Sequence, residues 1–180
     1  MVVIMTGLPG TGKSTLARAV AQRLACTVLD KDIIRAALFE PARVEYSAEQ
    51  DDFCQQVMLQ TAGYLLAKDR ALHVLLDGRT FSRRYQRENV IGFCRRTGSA
   101  WAVVECVCPE RTALARIAEA VERRTHPAAN RTPDLYRQVQ ESWEPIDLPK
   151  LVIDTSADLP SCVGLMLRYL ADTAAPGQEH

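Results

Sequence analysis

The chain has no surplus of charge. Its 180 residues carry 22 Lys and Arg against 22 Asp and Glu, a formal net charge of +0. A dedicated binder of long nucleic acid shows a basic excess, so neutrality disfavours that class while leaving room for a local basic cleft. The six cysteines include no C-x-x-C pair, and the three histidines, His73, His126 and His180, are scattered. A zinc site wants more Cys or His at short spacing. The cysteines are read instead as buried free thiols of a reducing compartment. No apolar run approaches the roughly 20 residues needed to span a bilayer. The first one, residues 2–5, is too short for the apolar core of a signal peptide. These shortages point to a soluble, cytoplasmic protein with no membrane partner. There is no internal repeat and no long linker, so one domain is expected over residues 1–173, with a tail at 174–180.

What the chain has is a high apolar fraction, 47%, which argues against disorder and for a real core. Short apolar runs alternate with amphipathic ones. Strands are expected at 2–6, 27–29, 73–77, 101–108 and 151–154. Helices are expected at 13–25, 32–39, 47–68, 82–96, 110–124, 133–143 and 161–171. Ser47 with Gln50 three residues on resembles a capping box, Gly98 marks a helix end, and Pro133 suits a first helical turn. Alternation of this kind implies an α/β fold in three layers, a parallel sheet with helices on both faces.

Between the first strand and the first helix lies Gly7-Leu8-Pro9-Gly10-Thr11-Gly12-Lys13-Ser14-Thr15. It fits G-x-x-x-x-G-K-[ST] at every fixed position, in the strand-to-helix context the pattern requires. Glycines let successive backbone N–H groups turn inward toward phosphate oxygens, and the helix presents its positive end to the anion. Lys13 is the point charge for the β- and γ-phosphates, and the Ser14 hydroxyl is the expected Mg²⁺ ligand. The expected ligands are therefore ATP and Mg²⁺.

The second strand leads into Leu29-Asp30-Lys31-Asp32-Ile33-Ile34-Arg35. Ligands of such sheets bind beyond the carboxyl ends of the strands, so this segment should face the phosphate loop across a cleft. Asp32 and Arg35, three apart at a helix start, share a face. Asp32 there either takes the proton of an attacking hydroxyl or simply caps the helix. Arg35 could hold an acceptor or the transferring phosphate.

The phosphate loop followed by D-x-x-R after strand two resembles the kinases grouped around the 5′-hydroxyl polynucleotide kinases, together with gluconate kinase, chloramphenicol phosphotransferase and the zeta-toxin kinases. The resemblance implies a P-loop NTPase fold, with a five-stranded parallel sheet in the order 2-3-1-4-5. It also implies that Asp32 is the general base and that Arg35 contacts phosphate at the acceptor site. Asp30 is the competing base.

Asp77 closes the third strand, where a carboxylate supports Mg²⁺ or serves the acceptor. Arg79 beside it is an acceptor-site candidate, whereas Arg83, Arg84 and Arg87 read as a solvated helix face. Residues 122–133 occupy the place where related kinases carry a lid whose arginines close over the triphosphate. Arg124 and Arg131 are the expected lid cations, with Arg123 behind them. Arg116 is expected near the nucleobase, and Thr155 in the loop that edges adenine in these kinases. The acceptor pocket should be lined by residues 40–47 and 51–64.

The leading expectation is an ATP-dependent kinase acting on a hydroxyl. Its acceptor would be a small molecule or a nucleic-acid 5′ end, the latter disfavoured by charge. A homodimer is compatible with the sequence. The alternatives are a nucleoside monophosphate kinase, a nucleotide-hydrolysing switch protein and a non-catalytic sensor.

Overall fold

The computed structural model describes residues 1–123 and 132–174. Its strands are β1 (Val2–Thr6), β2 (Cys26–Asp30), β3 (His73–Asp77), β4 (Trp101–Val107) and β5 (Leu151–Asp154). All pair in parallel, in the order β2-β3-β1-β4-β5. The fold expected from the alternation of elements is therefore the one found. β1 sits at the centre with every residue buried, as an uninterrupted Val-Val-Ile-Met run requires when helices cover both faces.

Alternate β1 side chains feed two separate cores. Val3 and Met5 pack with Leu16, Ala17 and Val20 of α1 (Lys13–Ala21) and with Val163, Met166 and Leu170 of α7 (Leu159–Ala174). Val2 and Ile4 point the other way, against Met58, Ala62 and Leu66 of α3 (Ala48–Lys68) and Val90 and Cys94 of α4 (Arg84–Thr97). The period-2 alternation of a strand thus divides one five-residue run between two helical layers. Helices α2 (Lys31–Leu38), α5 (Glu110–Glu122) and α6 (Pro133–Glu141) frame the carboxyl end of the sheet.

Local signals set several element ends. The Ser47 hydroxyl accepts from Gln50 N at 3.1 Å and starts α3. Gly98, at φ 62°, ends α4. Residues 41–43 form a short 3-10 turn where irregular loop was expected. α1 stops four residues earlier than its periodicity predicts, and residues 22–25 turn the chain into β2, Arg23 N bonding back to the Val20 carbonyl at 2.9 Å. α4 starts two residues late. Phe81 is fully buried at φ 51°, which fixes the chain before Arg83 in a non-helical path.

Candidate active site

The phosphate loop leaves β1 and enters α1 with Gly10 at φ +77°. A side chain there would meet the Ala113 carbonyl at 2.4 Å, so both the left-handed backbone and the approach of α5 demand glycine. Lys13 is buried, and its ammonium donates to the Gly7 and Leu8 carbonyls at 2.8 Å each. The charge is therefore held over the mouth of the loop, with Ser14 beside it in the first turn of α1. Thr6 Oγ1 and Gly7 N both bond the Thr80 carbonyl, at 2.7 and 3.3 Å, tying the loop to the segment after β3.

Across from it, α2 has an inverted polarity. Lys31, Asp32 and Arg35 are buried, while Ile33 is 54% exposed and Leu38 50%. A helix buries charged residues inward only when they answer one another. Arg35 Nη1 donates to Asp32 Oδ1 at 3.0 Å, and Lys31 Nζ lies 3.3 Å from the same oxygen. Asp51 of α3 takes a second bond from each cation: Lys31 Nζ at 2.8 Å, and Arg35 Nη2. Arg79 donates to Gln55 Oε1 and Asp52 Oδ1, each at 2.6 Å. Burial pulls the Lys31 ammonium down to about 8, against the opposing pull of Asp32.

Asp30 is occupied differently. It is the N-cap of α2, its Oδ1 accepting from Asp32 N at 2.9 Å and Ile33 N at 3.4 Å. Gly78, at φ +80°, makes room for it; a Cβ there would meet that oxygen at 2.6 Å. The capping role that the sequence left open for Asp32 thus belongs to Asp30. The side chain of Asp32 instead lines a pocket of about 130 Å³, together with Lys13, Lys31, Arg35, Tyr46 and Arg79. Burial, the largest cause, raises the Asp30 carboxyl above its usual range, and the neighbouring Asp77 charge adds to this.

Asp77 is wholly buried, and neither of its oxygens has a hydrogen-bond partner among the described residues. Carboxylates in that state cost several kcal/mol unless a cation or donor joins them. No group of three or more His, Cys, Asp or Glu among the described residues could hold a metal. Mg²⁺, however, needs only one or two protein ligands when phosphates and waters complete its octahedron. An orphaned carboxylate ending β3 and a hydroxyl in the first turn of α1 are the donor types that pattern needs, with Ser14 and Asp77 as the residues that would hold it. Asp77→Asn is expected to raise the melting temperature of the nucleotide-free protein by a few degrees, on the order of 1 kcal/mol. It should also weaken Mg²⁺-dependent nucleotide affinity. Thermal melts with and without Mg²⁺-ATP check both signs.

On the far side of the loop, Arg116 donates to Thr155 Oγ1 at 3.1 Å and to the Thr155 carbonyl at 2.8 Å. Thr155 Oγ1 in turn donates to the Thr11 carbonyl at 2.9 Å. These groups border a second pocket of about 210 Å³, floored by Leu16 and Cys162 and edged by Gly12 and Thr15. A planar base has apolar walls and polar edges to meet there.

A family model described as an AAA domain matches residues 2–145. The chain belongs to the AAA domain family. No curated protein matches it. Among solved structures it is similar to the Mycobacterium tuberculosis APS kinase CysC in complex with AMPPNP and APS, at 19% identity and TM-score 0.72 over 94% of this chain and 96% of that one. It is similar to Chaetomium thermophilum Kti12 in complex with ADP-AlF3, at 15% identity and TM-score 0.71 over 97% and 100% of the two chains. It is also similar to a gluconokinase from Sinorhizobium meliloti 1021, at 19% identity and TM-score 0.64 over 96% and 92%. At such identities the likeness is one of fold, the P-loop NTPase fold.

Within this AAA domain, the loop residues, Asp32, Arg35, Asp77, Arg79, Arg116 and Thr155 all converge on the carboxyl end of the sheet. Arg124 and Arg131, the expected lid cations, lie outside the described residues, as does most of the 122–133 segment. Arg123 pairs with Glu119 at 2.9 Å on the surface. One expectation is corrected. Arg87 is not part of a solvated face but 2% exposed, donating to the Phe81 and Pro145 carbonyls at 2.6 and 2.9 Å. It ties the turn before α4 to the connector before β5, donating also to the Glu144 carbonyl at 3.4 Å. Lys31 was not foreseen as a site residue, and Asp52 and Gln55 only as members of the 51–64 stretch expected to line the acceptor pocket. The signal for Lys31 was present, since positions 31, 32 and 35 share one helical face; Asp52 and Gln55 depend on the packing of α3.

Proposed function

We propose that this AAA domain is an ATP-dependent kinase that transfers the γ-phosphoryl group to a hydroxyl of a small molecule. The observation that carries this reading is that Lys13 and Asp32 wall the same small pocket. One holds phosphate and the other can take a proton. A hydrolysing switch has no need of a second enclosed site beside its loop.

In this reading the loop amides and Lys13 hold the triphosphate, and the base occupies the second pocket, beside the Arg116–Thr155 pair. Ser14 and Asp77 would hold Mg²⁺, which would supply neutralisation of phosphate charge. Asp32, oriented by Arg35 and Lys31, accepts the acceptor's proton as its oxygen bonds to the γ-phosphorus. The bond to the β–γ bridging oxygen breaks and ADP leaves. Arg124 and Arg131 are proposed to close over the transferring group, with residues 1–173 acting as one domain. The names of the similar structures, two of them kinases, support this class, as does the resemblance to the gluconate and polynucleotide kinase group. A nucleoside monophosphate kinase needs several arginines for its acceptor phosphate, and Arg87 is not available for that, since it is committed to main-chain carbonyls. A pocket of about 130 Å³, below the ~300–1,000 Å³ usual for drug-sized ligands, favours a small acceptor.

The test is to incubate the protein with γ-labelled ATP and a panel of small alcohols, hydroxy acids, nucleosides and 5′-hydroxyl oligonucleotides. Label should move to one small acceptor class. Release of inorganic phosphate at a rate indifferent to every acceptor would replace the kinase by a nucleotide hydrolase.

A further inference from the structure

We infer that Asp51 is a displaceable stand-in on Lys31 and Arg35, its carboxylate yielding its place to an oxyanion of the acceptor. This rests on the kinase reading of the same pocket, and on the acceptor-site anion that the resemblance implies for Arg35, and adds to them a resident group that competes with the substrate.

Three observations converge. First, Asp51 sits where a bound anion would sit. One carboxylate oxygen bridges Lys31 Nζ, at 2.8 Å, and Arg35 Nη2, at the wall of the acceptor pocket. It comes from α3, a different element, and its side chain keeps 24% exposure, so it has a path out. Second, the cations do not depend on it alone for their position. Arg35 is held by Asp32 at 3.0 Å and lies 5.0 Å from the Tyr46 ring centre. Lys31 keeps Asp32 at 3.3 Å. Removing Asp51 leaves both cations oriented and short of negative charge. Third, the Nε groups of Arg35 and Arg79 are buried with no partner among the described residues. These residues are 2% and 3% exposed, and both line the pocket. Buried donors in that state call for acceptor oxygens. A carboxylate, sulfate or phosphate group on the acceptor supplies the charge Asp51 now supplies, and oxygens for those donors. Asp51 is then a stand-in that keeps the cations paired until the substrate arrives, and it subtracts from substrate affinity.

A merely structural Asp51 predicts the opposite sign. If it only braces Arg35, its loss weakens anion binding. Inorganic sulfate and acetate are therefore titrated calorimetrically into the wild-type chain, Asp51→Asn and Lys31→Gln, with the phosphate loop saturated by ADP. Sulfate affinity is expected to rise about tenfold or more in Asp51→Asn, the order expected when a carboxylate within ~4 Å of an anion is removed. It should fall in Lys31→Gln. In Asp51→Asn it should also decline from pH 7 to pH 9, because burial holds the Lys31 ammonium below its usual range and Lys31 there faces Asp32, Arg35 and Arg79. Acetate rising with sulfate admits either geometry of anion, and sulfate rising alone selects a tetrahedral group. Unchanged or weaker binding of both anions in Asp51→Asn overturns the inference. Asp51→Ser repeats the comparison should Asp51→Asn melt without a cooperative transition. Failure of ADP to bind at all counts against the kinase reading instead. The variants share the phosphate loop, so their difference still decides the role of Asp51.

Discussion

Lys13→Ala should abolish phosphoryl transfer, a loss on the order of 10³-fold or greater, because it deletes the one loop side chain able to meet charge building on the γ-phosphoryl. The structure adds a second cost. The Lys13 ammonium also bonds the Gly7 and Leu8 carbonyls, so alanine leaves two buried or half-buried acceptors at the loop mouth without that donor. Nucleotide affinity should therefore fall along with turnover. Equilibrium binding of a non-hydrolysable ATP analogue, run beside the label-transfer assay, separates the two losses. Transfer within threefold of the wild-type rate would mean that the phosphates lie elsewhere.

Asp32→Asn should behave differently. The amide keeps the size of the carboxylate and can still accept from Arg35, so the pocket is retained and ATP binding is spared. Transfer should drop by about 10²–10⁴, the usual contribution of a positioned general base. The same substitution leaves Lys31 and Arg35 facing only Asp51 at this point, which should cost stability of about 1–3 kcal/mol for a partly unpaired buried cation. A melt that is lower but still cooperative, with ATP affinity unchanged, gives the transfer result its meaning. Undiminished transfer would shift the base to Asp30. That outcome would require Asp30 to leave the two amides it caps, so Asp30→Asn, which can still cap, is the matching control.

The contrast between Asp30 and Asp32 shows what the sequence could and could not reveal. Both are acidic, both flank a helix start, and spacing alone does not rank them. Only the rotation of α2 about its cap decides which one faces the pocket. The phosphate loop was legible because its function is written in backbone conformation, and glycine spacing reports that directly. The strands were legible because burial on both faces leaves uninterrupted apolar runs. The arginines were not legible in the same way. Arg79 and Arg87, eight residues apart, look alike in the chain, yet one lines the pocket and the other closes a turn. Apart from the Phe81 carbonyl on Arg87, the carbonyls and carboxylates that claim them come from α3 and from the connector before β5. Such pairings join residues 24 to 58 positions apart, beyond the reach of any local pattern.

The bond from Thr155 to the Thr11 carbonyl makes the last sheet loop a structural member of the phosphate cradle. Arg116 and that hydroxyl form a bracket between the second pocket and the Thr11 carbonyl of the loop. In the proposed kinase, a nucleotide seating its ring in that pocket would stiffen the floor beneath its own phosphates. Recognition of the base and grip on the tail would then be one mechanical event rather than two.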